Sequence, residues 1–161
     1  MTLLGEYDWI NHHTVQGDRQ VHTNVFHEKQ AIAVKSARGF VIIGDKFVLA
    51  HGVPLDNWQL PGGGTEENES EFETFAREVG EETSITELKN LRALCYRVNT
   101  TTWDDNSKID QDCILVGYAD SLPEFQGDIA GGTDGTRLVT KDELRELLPW
   151  GQSLDVLLKL I

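Results

Sequence analysis

The sequence predicts a mixed α/β domain in which the first long helix follows a glycine-rich loop. Two observations lead to this prediction. Short apolar runs flank a Gly-Asp turn at 44–45, and a capping box, Ser70 with Glu73, opens a segment whose apolar residues recur at helical spacing. A chain of 161 residues is long enough to bury a core and suits one domain.

The N-terminal half of this domain is predicted to consist mainly of strands. Residues 31–35 form one predicted strand, and residues 40–43 and 46–51 form a hairpin around the Gly-Asp turn. Residues 58–69 are predicted to be a glycine-rich loop, and the helix that follows ends near Thr83. The apolar residues of this helix are Phe72, Phe75, Ala76 and Val79.

The C-terminal half combines strands and short helices. Strands are predicted at about 90–98 and at 113–119, with a polar loop over 99–111 between them. Thr140 with Glu143 is a second capping box and begins a short helix. A terminal helix is expected from the spacing of Leu154, Leu157, Leu158 and Ile161.

Residues 1–30 differ from the rest of the chain. They are polar and hold four of the five histidines, together with Tyr7 and Trp9. We expect an N-terminal appendage, with a role in a subunit contact of a homodimer, ahead of a domain that spans residues 31–161.

The net charge restricts the partners. The chain has 14 Lys+Arg and 27 Asp+Glu, a formal charge of −13, whereas binders of nucleic acid or anionic membranes need a basic surface. The first residues lack a basic region, and no apolar run approaches the roughly 18 residues of a membrane span. Cys95 and Cys113 lack the spacing of a disulfide framework. These features predict a cytoplasmic protein without nucleic-acid or membrane partners.

The acidic residues are concentrated in one segment. Residues 66–82 hold eight glutamates and one basic residue, Arg77, and so contribute −7 of the −13. At about 100° per residue, Glu78, Glu81 and Glu82 share one face of the helix beside its apolar stripe. Like charges at these spacings repel each other, and the helix dipole disfavours anions near the C-terminus. The arrangement therefore suggests a bound hard cation, Mg²⁺ or Mn²⁺.

The segment from Gly63 to Ile85 resembles the signature of the Nudix hydrolases, G-x5-E-x7-R-E-U-x-E-E-x-G-U, where U is a bulky apolar residue. Eight of the nine fixed positions agree, and the ninth, Ser84, stands where the signature has glycine. The agreeing residues are Gly63, Glu69, Arg77, Glu78, Val79, Glu81, Glu82 and Ile85.

The resemblance implies the Nudix fold, an α/β/α sandwich with a mixed β-sheet between helices. It also implies hydrolysis of a pyrophosphate bond in a nucleoside diphosphate-linked substrate. By position, Glu78, Glu81 and Glu82 would hold Mg²⁺, and the Gly63 carbonyl would add a ligand. Gly62, Gly63 and Gly64 would bring the backbone close to the metal and the phosphates.

Further roles follow from the same resemblance. Arg77 and Glu69 would form an ion pair that ties the loop to the helix. The general base is either a box glutamate or an acid of a later loop, with Asp128 and Asp134 as the main candidates. Further acidic candidates are Asp104, Asp105, Asp110 and Asp112. Trp103 lies where the base of a nucleotide could stack on it.

The substrate is less sharply indicated. The chain lacks the patterns associated with NADH, ADP-ribose and coenzyme A pyrophosphatases, which leaves a MutT-like nucleoside triphosphate pyrophosphohydrolase as the favoured prediction. The alternatives are a nucleotide-sugar or dinucleoside polyphosphate hydrolase and a catalytically silent, nucleotide-binding regulator. In each case the partner is a small nucleotide.

Overall fold

A computed structural model describes residues 3–11, 20–103, 105–128, 130 and 132–161. Within these ranges the chain forms nine strands and three helices. The strands are β1 (Leu3–Asn11), β2 (Gln20–His27), β3 (Val34–Ile43), β4 (Lys46–Gly52), β5 (Asn57–Gln59), β6 (Gly62–Gly64), β7 (Lys89–Trp103), β8 (Asn106–Tyr118) and β9 (Thr133–Val139). The helices are α1 (Glu71–Thr83), α2 (Lys141–Leu147) and α3 (Gln152–Leu158).

The strands form one mixed sheet. Its order is β1-β2-β7-β8-β3-β4-β5, with β6 paired to β3 and β9 paired to β4. β3 and β8 run parallel, and the other pairs among the described strands are antiparallel. The glycine-rich segment β6 is therefore fixed to β3, near the middle of the sheet.

Helices pack on both faces of this sheet. On one face, Phe75 and Val79 of α1 are fully buried in a cluster with Val41 of β3. On the other face, Leu144 of α2 and Leu157 of α3 belong to a second buried cluster. Burying each such side chain contributes about 1.5–3 kcal/mol to stability. The predicted α/β/α sandwich with a mixed sheet between helices is confirmed.

The helix α1 has a well-defined start and end. Ser70 Oγ accepts a hydrogen bond from the Glu73 amide, and Glu73 Oε2 accepts one from the Ser70 amide, so the predicted capping box is present. The helix ends at Ser84, whose φ of 62° and ψ of 11° lie in the left-handed region. At 13 residues, α1 is the longest helix of the described ranges. None of the helices in the described ranges is long and apolar enough to cross a membrane.

The strand predicted at 31–35 begins only at Val34, and it continues through Gly39 into the strand predicted at 40–43, so the two form a single strand, β3. A Cβ at Gly39 would lie 2.0 Å from the Leu115 carbonyl oxygen. The glycine therefore permits the close parallel approach of β3 and β8 and does not mark a turn.

The polar loop predicted over 99–111 is wrong. β7 and β8 continue through most of this segment and pair from Lys89↔Tyr118 to Trp103↔Asn106. Thr100 and Thr101 also pair with β2 on the other side of β7. These threonines therefore lie between two strands, where β-branched residues are favoured despite their polarity.

The glycine-rich loop predicted over 58–69 is more regular than expected. It contains the end of β5 and all of β6, which pairs with residues 36–38 of β3. β9 was not predicted and pairs with β4 from Phe47↔Val139 to Gly52↔Thr133.

The N-terminal segment is joined to the sheet and to α1. β1 and β2 form a hairpin, and β2 pairs with β7. After the hairpin, the Gln30 amide donates to Gln111 Oε1 at 2.8 Å, and Lys29 Nζ lies 2.6 Å from Glu71 Oε1. The subunit contact expected for residues 1–30 stays a prediction.

Candidate active site

The β6 backbone forms one wall of the site. Gly62 has a φ of 145°, and a Cβ there would lie 2.4 Å from the Ala37 carbonyl oxygen. A Cβ at Gly63 would lie 2.4 Å from Glu78 Oε1. Gly62 therefore requires glycine, whereas a side chain at Gly63 would displace the Glu78 carboxylate, so the absence of side chains brings the backbone directly against a carboxylate of α1.

Arg77 connects α1 to the preceding loop. Its Nε donates to Glu69 Oε1 at 2.8 Å and its Nη2 to Glu69 Oε2 at 3.1 Å, which is a bidentate pair. Nη2 also donates to the Gly64 carbonyl at 3.0 Å. The hydrogen bonds from Arg77 lower the pKa of Glu69 to about 2. The ion pair that the motif implies is thus present and reaches β6 as well.

The remaining nitrogen of Arg77 faces two further motif glutamates. Nη1 lies 2.8 Å from Glu78 Oε1 and 3.4 Å from Glu81 Oε2. Burial raises the pKa of Glu78 despite this ion pair, since its side chain is only 15% exposed. Arg77 therefore links Glu69, Glu78 and Glu81 in one charge network.

Glu82 lies at the meeting point of α1 and β6. Its Oε2 accepts a 2.9 Å hydrogen bond from the Gly62 amide, and its Oε1 lies 3.5 Å from Thr133 Oγ1. Burial raises the pKa of Glu82 to about 7, and the charges of Glu78 and Asp128 act in the same direction. A cavity of about 260 Å³ adjoins this carboxyl.

The donor groups of the site suit a hard divalent cation. Glu78, Glu81 and Glu82 supply carboxylate oxygens, and the cradle at Gly63, which a Cβ would fill, lies against the Glu78 carboxylate. Within the described ranges, no three His, Cys, Asp or Glu side chains converge at metal-binding distance. The Glu78 carboxylate instead accepts a hydrogen bond from Arg77, and the Glu82 carboxylate accepts one from the Gly62 amide. A bound cation would replace these partners.

The two late-loop acids lie in different surroundings. Asp128 accepts hydrogen bonds from the Ala130 and Gly132 amides, and its charge raises the pKa of both Glu78 and Glu82. Asp134 Oδ1 instead lies 2.7 Å from His51 Nδ1. The charge of Asp128 therefore acts on both glutamates, whereas the carboxylate of Asp134 pairs with His51.

The other sequence candidates pair with other residues, are exposed, or lie outside the described residues. Asp112 is held by Ser36, Arg97 and Asn99, and Asp110 pairs with Lys108. The Asp105 side chain is exposed. The side chain of Trp103 and the whole of Asp104 lie outside the described residues.

Arg38 lies beside the site although it is not part of the Gly63–Ile85 motif. It lies in β3 opposite Gly62, and its Nε is buried without a hydrogen-bond partner among the described residues. Burial and the neighbouring Arg97 lower the pKa of Arg38, whereas the charges of Asp112, Glu82 and Glu78 oppose this shift. The position of Arg38, two residues before the apolar run 40–43 of β3, was the sequence signal that could have revealed it.

The comparisons with known proteins identify the family. The family model for the NUDIX domain matches residues 34–160, which is most of the chain. The chain belongs to the NUDIX domain family. A search of curated proteins finds no match. The prediction of a Nudix hydrolase, an enzyme that acts on pyrophosphate bonds, is confirmed.

Solved structures share the Nudix fold at low sequence identity. A variant of the Bacillus subtilis pyrophosphohydrolase BsRppH is 19% identical with a TM-score of 0.69, over 96% of this chain and 94% of that chain. The E. coli dihydroneopterin triphosphate pyrophosphohydrolase is 13% identical with a TM-score of 0.61, over 79% and 96%. The C. elegans Ap4A hydrolase is 17% identical with a TM-score of 0.55, over 79% and 94%.

Proposed function

We propose that this Nudix hydrolase is a nucleoside triphosphate pyrophosphohydrolase that depends on a divalent cation, Mg²⁺ or alternatively Mn²⁺. The observation that carries the proposal is the grouping of Glu78 and Glu82 against the Gly62–Gly63 backbone, with Arg38 on the adjacent strand. Acidic groups for a cation and a basic group for a phosphate thus occur together.

A cation is needed because a polyphosphate and the carboxylates of α1 repel each other. Glu78, Glu81, Glu82 and the Gly63 carbonyl are the groups that would hold it. When bound, such a cation neutralises phosphate charge and lowers the pKa of a coordinated water.

Asp128 is proposed to accept the proton of the attacking water. Its two hydrogen bonds come from amides of its own loop, and its charge acts on Glu78 and Glu82. A carboxylate oxygen that accepts one hydrogen bond keeps a further lone pair for a proton. Asp134 is less suited to this role, because its carboxylate already pairs with His51.

Two arginines are proposed to have separate roles. Arg38 contributes a buried N–H, unpaired among the described residues, that would donate to a substrate phosphate oxygen. Arg77 positions the glycine-rich segment and Glu78 relative to each other, since it donates hydrogen bonds to Glu69, to the Gly64 carbonyl and to Glu78.

The triphosphate substrate is favoured because the chain lacks the sequence patterns of the NADH, ADP-ribose and coenzyme A subfamilies. The same fold occurs in a dihydroneopterin triphosphate pyrophosphohydrolase and in an Ap4A hydrolase. A dinucleoside polyphosphate or nucleotide-sugar hydrolase is therefore the second candidate.

A product analysis tests this assignment. The protein would be incubated with Mg²⁺ and nucleoside triphosphates, nucleotide sugars or dinucleoside polyphosphates in ¹⁸O-labelled water, and the products separated by anion exchange. We expect nucleoside monophosphate and pyrophosphate, with the label in one of the two. Turnover of another substrate class alone would replace the triphosphate assignment. Nucleotide binding without any turnover would indicate a silent regulator.

A further inference from the structure

The residue that ends α1 has an unusual conformation for its type. Among the described non-glycine residues, positive φ angles occur at Asp56, Asn68, Ser84 and Asn90. Asp and Asn adopt this left-handed region more readily than other residues, because their side chains hydrogen-bond locally. Ser84 is the exception, and it occupies the position where the Nudix signature has glycine. The cap geometry alone would be better served by glycine.

The hydroxyl of Ser84 makes a contact that glycine could not make. Its Oγ accepts a 3.0 Å hydrogen bond from the Gln126 amide, 42 positions along the chain. The backbone amide of Ser84 donates separately to the Gly80 carbonyl and caps the helix. Capping therefore depends on the main chain, whereas the side chain serves the distant segment.

That segment is the loop between β8 and β9. One end is fixed by a hydrogen bond from the Ala119 amide to the Ile42 carbonyl, and the other by a hydrogen bond from the Val53 amide to the Gly132 carbonyl.

Gln126 lies in this loop between the two hydrogen-bonded ends and directly precedes Gly127, whose φ is 93°. Asp128 follows one residue later, so the Ser84 contact lies close to the proposed proton acceptor.

We propose that Ser84 is a positioning residue, whose hydroxyl ties the C-terminus of α1 to the β8–β9 loop and so holds Asp128 beside Glu78 and Glu82. This inference rests on the proposed function, because it needs Asp128 to act in hydrolysis. It explains why a residue disfavoured in the left-handed region stands at this position: the acceptor that it supplies is required in the loop.

Two substitutions at Ser84 separate positioning from capping. Ser84→Gly removes the acceptor and improves the cap conformation, whereas Ser84→Asn keeps a side-chain acceptor on a residue that tolerates the left-handed region. In Ser84→Gly we expect kcat to fall about tenfold with KM changed less than about twofold, as misplacement of a reacting group predicts. Ser84→Asn should recover much of kcat. The melting temperature of Ser84→Gly should stay within about 3 °C of the wild type.

Two further measurements make the test decisive. Amide hydrogen exchange at Gln126 should be faster in Ser84→Gly than in the wild type and should slow again in Ser84→Asn. In the Asp128→Asn background, Ser84→Gly should cause little further loss of kcat, because the group it positions is already disabled.

These measurements distinguish a failure of the Ser84 inference from a failure of the proposed role of Asp128. If Asp128→Asn lowers kcat while Ser84→Gly does not, the positioning inference is wrong and the proposed function stands. If Asp128→Asn keeps full activity, the proposed proton acceptor is wrong. If Ser84→Gly lowers kcat equally with and without Asp128, the serine acts by another route and the inference is overturned.

Discussion

The amide of Gly62 donates a 2.9 Å hydrogen bond to Oε2 of Glu82, so the glycine-rich strand and the last turn of α1 meet at a carboxyl group. Burial raises the pKa of this group to about 7, and the negative charges of Glu78 and Asp128 contribute. The fold thus keeps an acid where its ionised form is disfavoured. A bound cation would reverse that preference, since it stabilises the carboxylate.

Replacing Glu82 with Gln is expected to stabilise the metal-free protein above pH 7. The folded-state pKa of about 7 exceeds the reference value of 4.5. The protonated group therefore contributes stability that is complete below 4.5 and is lost as the pH rises through about 7. Gln does not ionise, so Glu82→Gln should gain about 1–3 kcal/mol at about pH 8, measured by urea unfolding in EDTA. Equal stability of the two proteins across this pH range would contradict the burial argument.

Acid should lower the stability of the fold through Glu69, whose pKa is lowered, whereas that of Glu82 is raised. Arg77 lowers its pKa from 4.5 to about 2, so its contribution to stability is present above 4.5 and lost as the pH falls towards 2. In urea unfolding over this range, Glu69→Gln should show a smaller loss of stability on acidification than the wild type. Glu67→Gln, an exposed neighbour in the same loop, is the matched control and should follow the wild type. Parallel curves for all three proteins would show that the ion pair is not stabilising.

Arg77→Lys should lower kcat by about tenfold or more, because an ammonium group cannot replace the planar fork that holds Glu69 at two points. Lysine would also leave the Gly64 carbonyl without its side-chain donor. Steady-state kinetics with a nucleoside triphosphate would measure the effect. Arg137→Lys, at a half-exposed ion pair with Glu143, should retain wild-type activity. An unchanged kcat in Arg77→Lys would remove the positioning role.

Arg38→Met should raise KM for the substrate by about tenfold, since a hydrogen bond to a charged group contributes about 1.5–3 kcal/mol. Stability should hardly fall, because Arg38 Nε is buried with no partner in the described part of the chain and methionine fills similar space without a charge. Kinetics together with thermal unfolding would check both parts. A large loss of stability with unchanged KM would instead assign Arg38 a structural role.

Local signals in the sequence predicted the helical part of the site. Capping by Ser70 and Glu73 involves residues three positions apart, so it could be recognised directly in the sequence. Helical periodicity likewise placed Glu78 and Glu82 on the same side of α1. The glycine-rich segment was identified as part of the site, although its pairing with β3 was not predicted.

Features that depend on distant pairing could not be predicted in this way. Arg38 reaches the site because β3 pairs with both β6 and β8. In the sequence, Asp128 and Asp134 are indistinguishable as acidic residues of one loop. The pairing of β9 with β4 places Asp134 beside His51, and this distinguishes it from Asp128. The strand at Thr100 pairs with β8 on one side and, on the other, with β2, about 75 residues earlier in the chain.

The Mg²⁺ dependence of pyrophosphate release from a nucleoside triphosphate tests the central claim most directly. It would be measured for the wild type, for Glu82→Gln and for the exposed control Glu67→Gln. We predict turnover by the wild type and the control that rises with Mg²⁺ and stops in EDTA, with a loss of about a hundredfold or more in Glu82→Gln. Turnover that is independent of the cation, or that Glu82→Gln leaves intact, would contradict the account.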